Sequence, residues 1–435
     1  MSWSEHVVWW QVYPLGFVGA PVHPDQRRAA GEPVEGRLPA DTPVHAGESA
    51  PPTVVHRLPR LLGWLDHLVG LGANGLLLGP VFDSATHGYD TLDHLRLDPR
   101  LGDDGDLDAL VAACHARGIK VAFDGVFNHV ADTHPFYLRA LAEGPGSRYA
   151  DWFAIDWAAD GGPRAAVFEG HGSLVALNHA NPQVADYVVQ VMNHWCDRGV
   201  DAWRLDAAYA VPTRFWADVL PRVRAQHPDV WVSAEVIHGD QAAFVAGSGV
   251  DSLTQYPLWK ATWSSLLDAN FFELDWALGL HGALPFVATT FVGNHDVTRI
   301  ASKVGPERAV LALVVLATVA GVPTVYAGDE LAWTGVKEER FGGDDAIRPE
   351  FPARPELGDG EWMYRVHQEL IGLRRRHPWL VHATTRALEL TNTRYVYAPT
   401  SPDGADGLVV ELDVSGASRA EVRTPDGATL FRYPA

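Results

Sequence analysis

The segment Gly199–Asp206, reading GVDAWRLD, sets an arginine and an acid two residues apart at the end of a mostly apolar run. In an extended strand side chains alternate between two faces. Ala202, Arg204 and Asp206 then share one face, and Trp203 and Leu205 the other. Taken alone, such a pair is equally well explained as a buried salt bridge joining two elements. Two more acids change the reading, because WVSAE ends at Glu235 and FVGNHD ends at Asp296, each closing another short apolar run. Three acids at the carboxyl ends of three separate strands form a candidate hydrolytic centre. Two carboxyl groups flanking a glycosidic bond can divide the work between proton donor and nucleophile. Arg204 is expected to keep Asp206 ionised and oriented through a charge-assisted hydrogen bond. Glu235, at the end of an apolar strand, is the better candidate for proton donation.

Positioning these acids takes a scaffold of alternating strands and helices. Strands are expected at Val7–Tyr13, Gly75–Val81, Lys120–Asp124, Gly199–Asp206, Trp231–Glu235, near Asp251, at Ala288–Val292 and at Pro323–Tyr326. Between them lie helical patterns: Leu61, Trp64, Leu65 and Leu68; Leu107, Leu110, Val111 and Cys114; Val184 to Trp195; Thr213 to Arg224; Glu307 to Val319; and Glu361 to Arg376. Asp103 or Asp104 can cap the second, Gly118 can end it, and Pro182 suits the first position of the third. About eight such units imply parallel strands, and the fold class read from them is α/β, a (β/α)₈ TIM barrel. In such a barrel, residues at the carboxyl ends of the strands build the site.

Two stretches break the alternation. From Phe17 to about Val55 the chain is rich in Pro, Ala, Gly and charge without period, and is read as a long excursion over the rim of the site. From Ala131 to Leu177 it is aromatic, glycine-rich and aperiodic, which suggests a small inserted domain after the third strand. After Pro378, short alternating runs such as Thr393–Tyr397, Leu408–Leu412 and Ala420–Arg423 read as a small antiparallel β domain. The domain reading is thus a barrel over 1–130 and 178–378, an insert over 131–177 and a C-terminal β domain over 379–435. The basic run Arg374–Arg376 is read as a solvated helix end.

Composition narrows the partners. The 435 residues hold 54 Asp and Glu against 34 Lys and Arg, a net charge of −20. Nucleic acids and anionic membranes attract the opposite balance, so neither is expected as a partner and a neutral substrate fits better. Only two cysteines occur, Cys114 and Cys196, both in helical patterns, and the start MSWSEHVVWW carries no secretory pattern. A reducing, cytoplasmic location is expected. The longest apolar run, Ala309–Val319, is shorter than a membrane span needs. Nothing in the residues fixes an oligomeric state.

The segments DGVFNH (Asp124–His129), DAWRLD (Asp201–Asp206), AEVIH (Ala234–His238) and FVGNHD (Phe291–Asp296) resemble, in order, the four signature regions of the α-amylase family, glycoside hydrolase family 13. LVALNHANP from Leu174 and HGYDTLDH from His87 resemble two further family segments. Their style is closest to the cyclomaltodextrinase, neopullulanase, maltogenic amylase and α-glucosidase group, although the amino-terminal sugar-binding domain typical of that group is not expected here. The resemblance implies that Asp206 is the nucleophile of a retaining glycosidase acting on α-glucosidic bonds of short malto-oligosaccharides or related glucosides. It implies that Glu235 is the acid and then the base, and that Asp296 grips the 2- and 3-hydroxyls. Tyr89 is implied as a stacking ring, His129 and His295 as transition-state-binding histidines, Arg204 as the arginine beside the nucleophile, and Asp124 as a further substrate-binding position.

Several positions depart from the family pattern. Asn128 matches a calcium-binding position, but Tyr209 and Ala210 stand where many amylases carry Lys-His; a structural Asn and no cofactor are expected, with calcium at Asn128 as the alternative. Thr86 stands where many exo-acting α-glucosidases carry an Asp that seals the glucose pocket. Arg348 either lies near that subsite or is an ordinary surface arginine. Trp259 and Trp263 either stack on further sugars or belong to the core. Transglycosylation or glucoside isomerisation would use the same residues. A non-catalytic barrel is disfavoured by the retention of all three acids, and a metal-dependent hydrolase by the lack of a His-x-His after the first strand.

Overall fold

The structure is a computed structural model and describes residues 2–23, 26 and 53–434. Most of the excursion read over Phe17–Val55 lies outside the described residues. Among the described residues, eight strands pair in parallel: β1 (Trp9–Val12), β2 (Gly75–Leu78), β3 (Lys120–Gly125), β4 (Ala202–Leu205), β5 (Trp231–Ala234), β6 (Ser252–Leu253), β7 (Thr289–Phe291) and β8 (Val322–Tyr326). Each pairs with its neighbour in sequence, β1 pairs with β8, and a bridge between Thr254 and Thr289 joins β6 to β7, completing the ring.

The period-2 alternation of the strands decides what faces inward. Trp9, Leu77, Ala122, Ala202, Trp231 and Val322 form one inner layer, in which Trp9 and Trp231 stack at 6.0 Å. One step out of phase, Trp203 points away from the axis and packs on Phe123, at 6.1 Å, and on Phe127, at 5.8 Å, under the surrounding helices. Truncating such a fully buried indole to alanine costs about 3–5 kcal/mol. Two residues above Ala202 on the inner face comes Arg204, and then Asp206.

Helices cover the outside. In α1 (Asp104–His115), Asp103 accepts from the amide of Asp106 while the Asp106 side chain returns the bond, a reciprocal cap. Pro182 opens α2 (Pro182–Asp197), where Asn181 accepts from the amide of Gln183. Tyr256 starts α3 (Tyr256–Asp268) directly after β6, and α4 (Pro306–Thr318) is almost wholly buried.

Two sequence expectations are filled in and one is corrected. The segment 131–177 is not wholly irregular, because Pro135–Glu143 is a helix capped by the His134 ring. Its aromatic stripe escapes a helical reading because Phe136 faces Tyr149, at 4.2 Å, within the segment itself. The C-terminal sheet is antiparallel as expected but has five strands among the described residues, Thr384–Leu390 and Thr429–Tyr433 flanking the three foreseen. Those two edge strands carry mixed burial, which blurs their alternation. Arg374 is not a solvated helix end. It is buried and donates to the carbonyls of Ala317, in the last turn of α4, and of Val319 and Gly321 just beyond it. No described helix is long and apolar enough to cross a membrane, and both cysteines are buried and free.

Candidate active site

Register alone brings the first two acids together. Arg204 on β4 pairs with Asp124 on β3 and with Ser233 on β5, and Leu205 pairs with Ala234. The next residues of β4 and β5 are Asp206 and Glu235, which therefore leave the sheet side by side. Backbone bonds continue the ladder: the Asp206 amide donates to the Gly125 carbonyl at 3.0 Å, and that of Glu235 to the Leu205 carbonyl at 2.9 Å.

The Arg204 guanidinium lies beneath them. Its Nη1 donates to Asp124, at 2.9 and 2.8 Å, and to Asp206 Oδ1, at 2.9 Å, while Nη2 reaches Glu235 Oε1 at 2.7 Å. One cation serves three carboxylates, all of them buried. Burial raises the Asp206 carboxyl well above its ordinary range; Arg204 opposes the shift, but Glu235 and Asp124 reinforce it. Burial also raises Asp124. The expectation that Arg204 keeps Asp206 ionised meets an opposing balance: its charge is divided three ways, against desolvation plus two like charges. Arg204 itself is driven well above its ordinary value, the three acids outweighing its own burial.

Asp296 has the opposite environment. His295 Nε2 lies 2.9 Å from its Oδ2 and Arg348 Nη2 lies 2.8 Å from its Oδ1. Against the burial that would raise it, these partners hold Asp296 well below the usual carboxylate range. Arg348 is no ordinary surface residue: it also donates to the His295 carbonyl at 2.9 Å, pairs with Asp344 at 3.0 Å and lies over the Tyr13 ring at 4.7 Å.

Asp206, Glu235, Asp296, Tyr89 and His129 line a common cavity of about 460 Å³. Tyr89 donates to Asp124 at 3.0 Å, contacts His295 Nε2, and lies parallel to the His295 ring at 5.4 Å. In His129, Nε2 bonds the Tyr89 carbonyl at 2.9 Å and Nδ1 the Asn128 amide at 3.1 Å, so both ring nitrogens are engaged within the protein. Burial lowers its pKa to about 4, which keeps the ring neutral at pH 7. Asp124 does not contact the cavity as a substrate-binding residue would. It is fully buried behind Arg204 and Tyr89 and holds those two side chains instead. Arg204 and His295 likewise stand behind the groups that line the wall. A neighbouring cavity of about 790 Å³, bordered by Tyr13, Thr86 and Arg348, shares His87, His171, Lys337 and Asp344 with the first. Thr86 donates to Asp90. Trp259 stacks on Phe291 and Trp263 lies under Lys303, so both belong to packing around α3.

Sequence reasoning missed several neighbours. Tyr256 donates to Glu235 Oε1 at 2.8 Å, and the Ala207 amide, on a left-handed residue with φ 44°, donates to Oε2 at 2.9 Å. Phe168 stacks on His129 at 4.9 Å, and Tyr209 donates to Glu169 at 2.7 Å, so the segment 131–177 walls one side of the cavity. None of these side chains is an acid at a strand end, the signal that exposed the others. The Asn128 Nδ2 bonds the His129 ring at 3.1 Å.

The chain matches the family model for the alpha amylase catalytic domain over residues 61–354. It is similar to a cyclomaltodextrinase of Geobacillus thermopakistaniensis, 29% identical over 98% of this chain and 71% of that protein. Among solved structures, a cyclomaltodextrinase is similar with a TM-score of 0.78 and 28% identity, over 94% of this chain and 70% of that one. The cyclic alpha-maltosyl-(1→6)-maltose hydrolase of Arthrobacter globiformis in complex with maltose is similar with a TM-score of 0.78 and 25% identity, covering 95% and 92%. With the family model matching well over half of its length, and with the ring of eight strands presenting acids at their carboxyl ends, this chain belongs to the alpha-amylase family of glycoside hydrolases.

Proposed function

We propose that the chain is a retaining glycosidase that cleaves α-glucosidic bonds in short malto-oligosaccharides or related α-glucosides, working in the cytoplasm. The observation that carries this reading is the pair Asp206 and Glu235, adjacent in register, sharing one guanidinium and facing one cavity. The names of the relatives, a cyclomaltodextrinase and a hydrolase of a cyclic maltosyl-maltose, support a malto-type substrate.

In the first step an Asp206 oxygen attacks the anomeric carbon, the bond to the leaving oxygen breaks, and Glu235 delivers its proton to that oxygen. A covalent glycosyl ester on Asp206 results. In the second step water enters, Glu235 takes its proton, and the new hydroxyl displaces the Asp206 oxygen from the same carbon. Asp296, held ionised by His295 and Arg348, accepts hydrogen bonds from ring hydroxyls as positive charge develops on the sugar. The chemistry needs one acid ionised to attack while its neighbour carries the proton. A single arginine set against three buried acids supports that division, since its charge does not match all three at once.

A second reading, transglycosylation, is favoured by the rim of Phe168, Tyr209 and exposed Ile237, an apolar surface on which an acceptor sugar could displace water. Proton NMR of maltotriose cleavage tests the main reading: the α-anomer appears first under retention. Early β-anomer, or an Asp206→Asn variant of full activity, would sink it. Products longer than the substrate at high maltose would decide for transfer.

A further inference from the structure

The acid/base Glu235 is held by a directional chain of hydrogen bonds that begins on a different strand. The Asp296 amide donates to Asn294 Oδ1 at 2.8 Å, which fixes the orientation of the Asn294 amide group. Its Nδ2 therefore points at the Tyr256 hydroxyl, 3.0 Å away. Because that nitrogen can only donate, the Tyr256 hydrogen is turned away from it, toward Glu235 Oε1 at 2.8 Å. Burial and the neighbouring acids raise the Tyr256 hydroxyl well above its ordinary value, so it stays a donor throughout the working range.

The two oxygens of Glu235 are consequently unequal. Oε1 accepts from Tyr256 and from the Arg204 cation, and a proton there would oppose two donors. Among the described residues, Oε2 accepts only the Ala207 amide, leaving a lone-pair direction open. Resting on the reading of Glu235 as acid and base, we propose that Tyr256, locked by Asn294, is a positioning residue that makes Oε2 the proton-bearing oxygen of Glu235. As Oε2–H gives its proton to the glycosidic oxygen, the electron pair left behind becomes carboxylate charge, and Oε1 shares it with the two donors already in place. Tyr256 thus strengthens toward the transition state a bond that it makes in the ground state.

The test compares kcat/KM of the wild type, Tyr256→Phe and Asn294→Ala across pH. Maltotriose needs full protonation of its leaving oxygen; 4-nitrophenyl α-glucoside needs little. Phenylalanine keeps the ring contacts to Phe291 and Trp259, at 5.0 and 5.8 Å, so the helix start is preserved. Tyr256→Phe is expected to lower kcat/KM for maltotriose about 10- to 100-fold and for the aryl glucoside less than about 3-fold. Its basic limb moves upward by about one pH unit, since a donor to the charged form of the acid is lost. Asn294→Ala, which frees the hydroxyl to rotate, gives the same pattern more weakly. Equal losses on both substrates with the limb unmoved, in either variant, would overturn the positioning role. Wild-type protein inert on both substrates would instead refute the proposed function, and this inference with it.

Discussion

Replacing Asp124 by asparagine tests the charge arithmetic of the site without touching a group that lines the cavity. Asp124 and Asp206 both accept from Arg204 Nη1, at 2.8 and 2.9 Å. Two oxygens bonded to one nitrogen at those lengths are no more than about 6 Å apart; at an effective dielectric of about 20, unit charges there repel by about 3 kcal/mol, some two pH units. Burial raises Asp206 first and the neighbouring acids add to it, so removing one acid lowers the pH at which the nucleophile ionises. The carboxyls titrate together, and burial raises Asp124 as well, so part of that repulsion is absent at the acid end of the range. The expected outcome is an acid limb of kcat/KM displaced downward by about one to two pH units. The assay is maltotriose hydrolysis from mildly acid to mildly alkaline pH, with the limb fitted separately from the plateau. A limb that stays put, or that moves upward, would mean that Arg204 is not shared as described and that Asp124 matters only as a structural partner.

Other variants report on other parts of the framework. Arg348→Met removes the cation that bridges Asp296, Asp344 and the His295 carbonyl, and kcat/KM should fall about 10-fold or more, measured on the same substrate. Arg374→Met strips the donors from three carbonyls and should lower stability by about 2–4 kcal/mol in urea titration while kcat is kept. Burial raises Asp329 from 3.8 to about 6, against the Arg299 partner 2.8 Å away. The folded state therefore holds a proton that the unfolded state releases, and the associated stability is full below pH 4 and lost by up to about 3 kcal/mol as pH rises through 6. Asp329→Asn should lower the melting temperature overall but flatten that slope; an unchanged slope would count against it.

The parts of the fold that were legible are those in which one residue's surroundings are repeated by its neighbours. The inward–outward alternation of Ala202, Trp203, Arg204, Leu205 and Asp206 is a local rule, and the structure follows it residue by residue. The strand at Trp231 and the long apolar helix after Pro306 were legible for the same reason. What escaped is set by contacts distant in sequence. Arg374 reads as a solvated end until the carbonyls at and just beyond the end of α4 close over it, and Phe136 reads as loop until Tyr149 stacks on it. Tyr256 lies 21 residues from the carboxyl that it contacts, beside a proline that advertises only a helix start. Asp124 was recognisable as part of the site, but its depth was not: whether a carboxyl lines a wall or stands behind it depends on Tyr89, which comes from another part of the chain.

The same distinction explains why the site is poorly balanced in charge. A scaffold selected for stability alone would match each buried acid with a donor, or replace the group by packed apolar side chains, since buried ion pairs seldom repay their desolvation. Asp296 comes close to that ideal, with His295 and Arg348 on its two oxygens, and it is the acid held well below the ordinary range. Around Arg204 the balance is withheld, and Asp206 is raised. The difference between the two environments separates a carboxylate that stays charged throughout from one that must take up and release the sugar. Adding a second cation beside Asp206, for example by Ala207→Lys, should therefore cut kcat/KM on maltotriose, because it favours the ionised form of both neighbouring acids when the first step needs only one of them ionised.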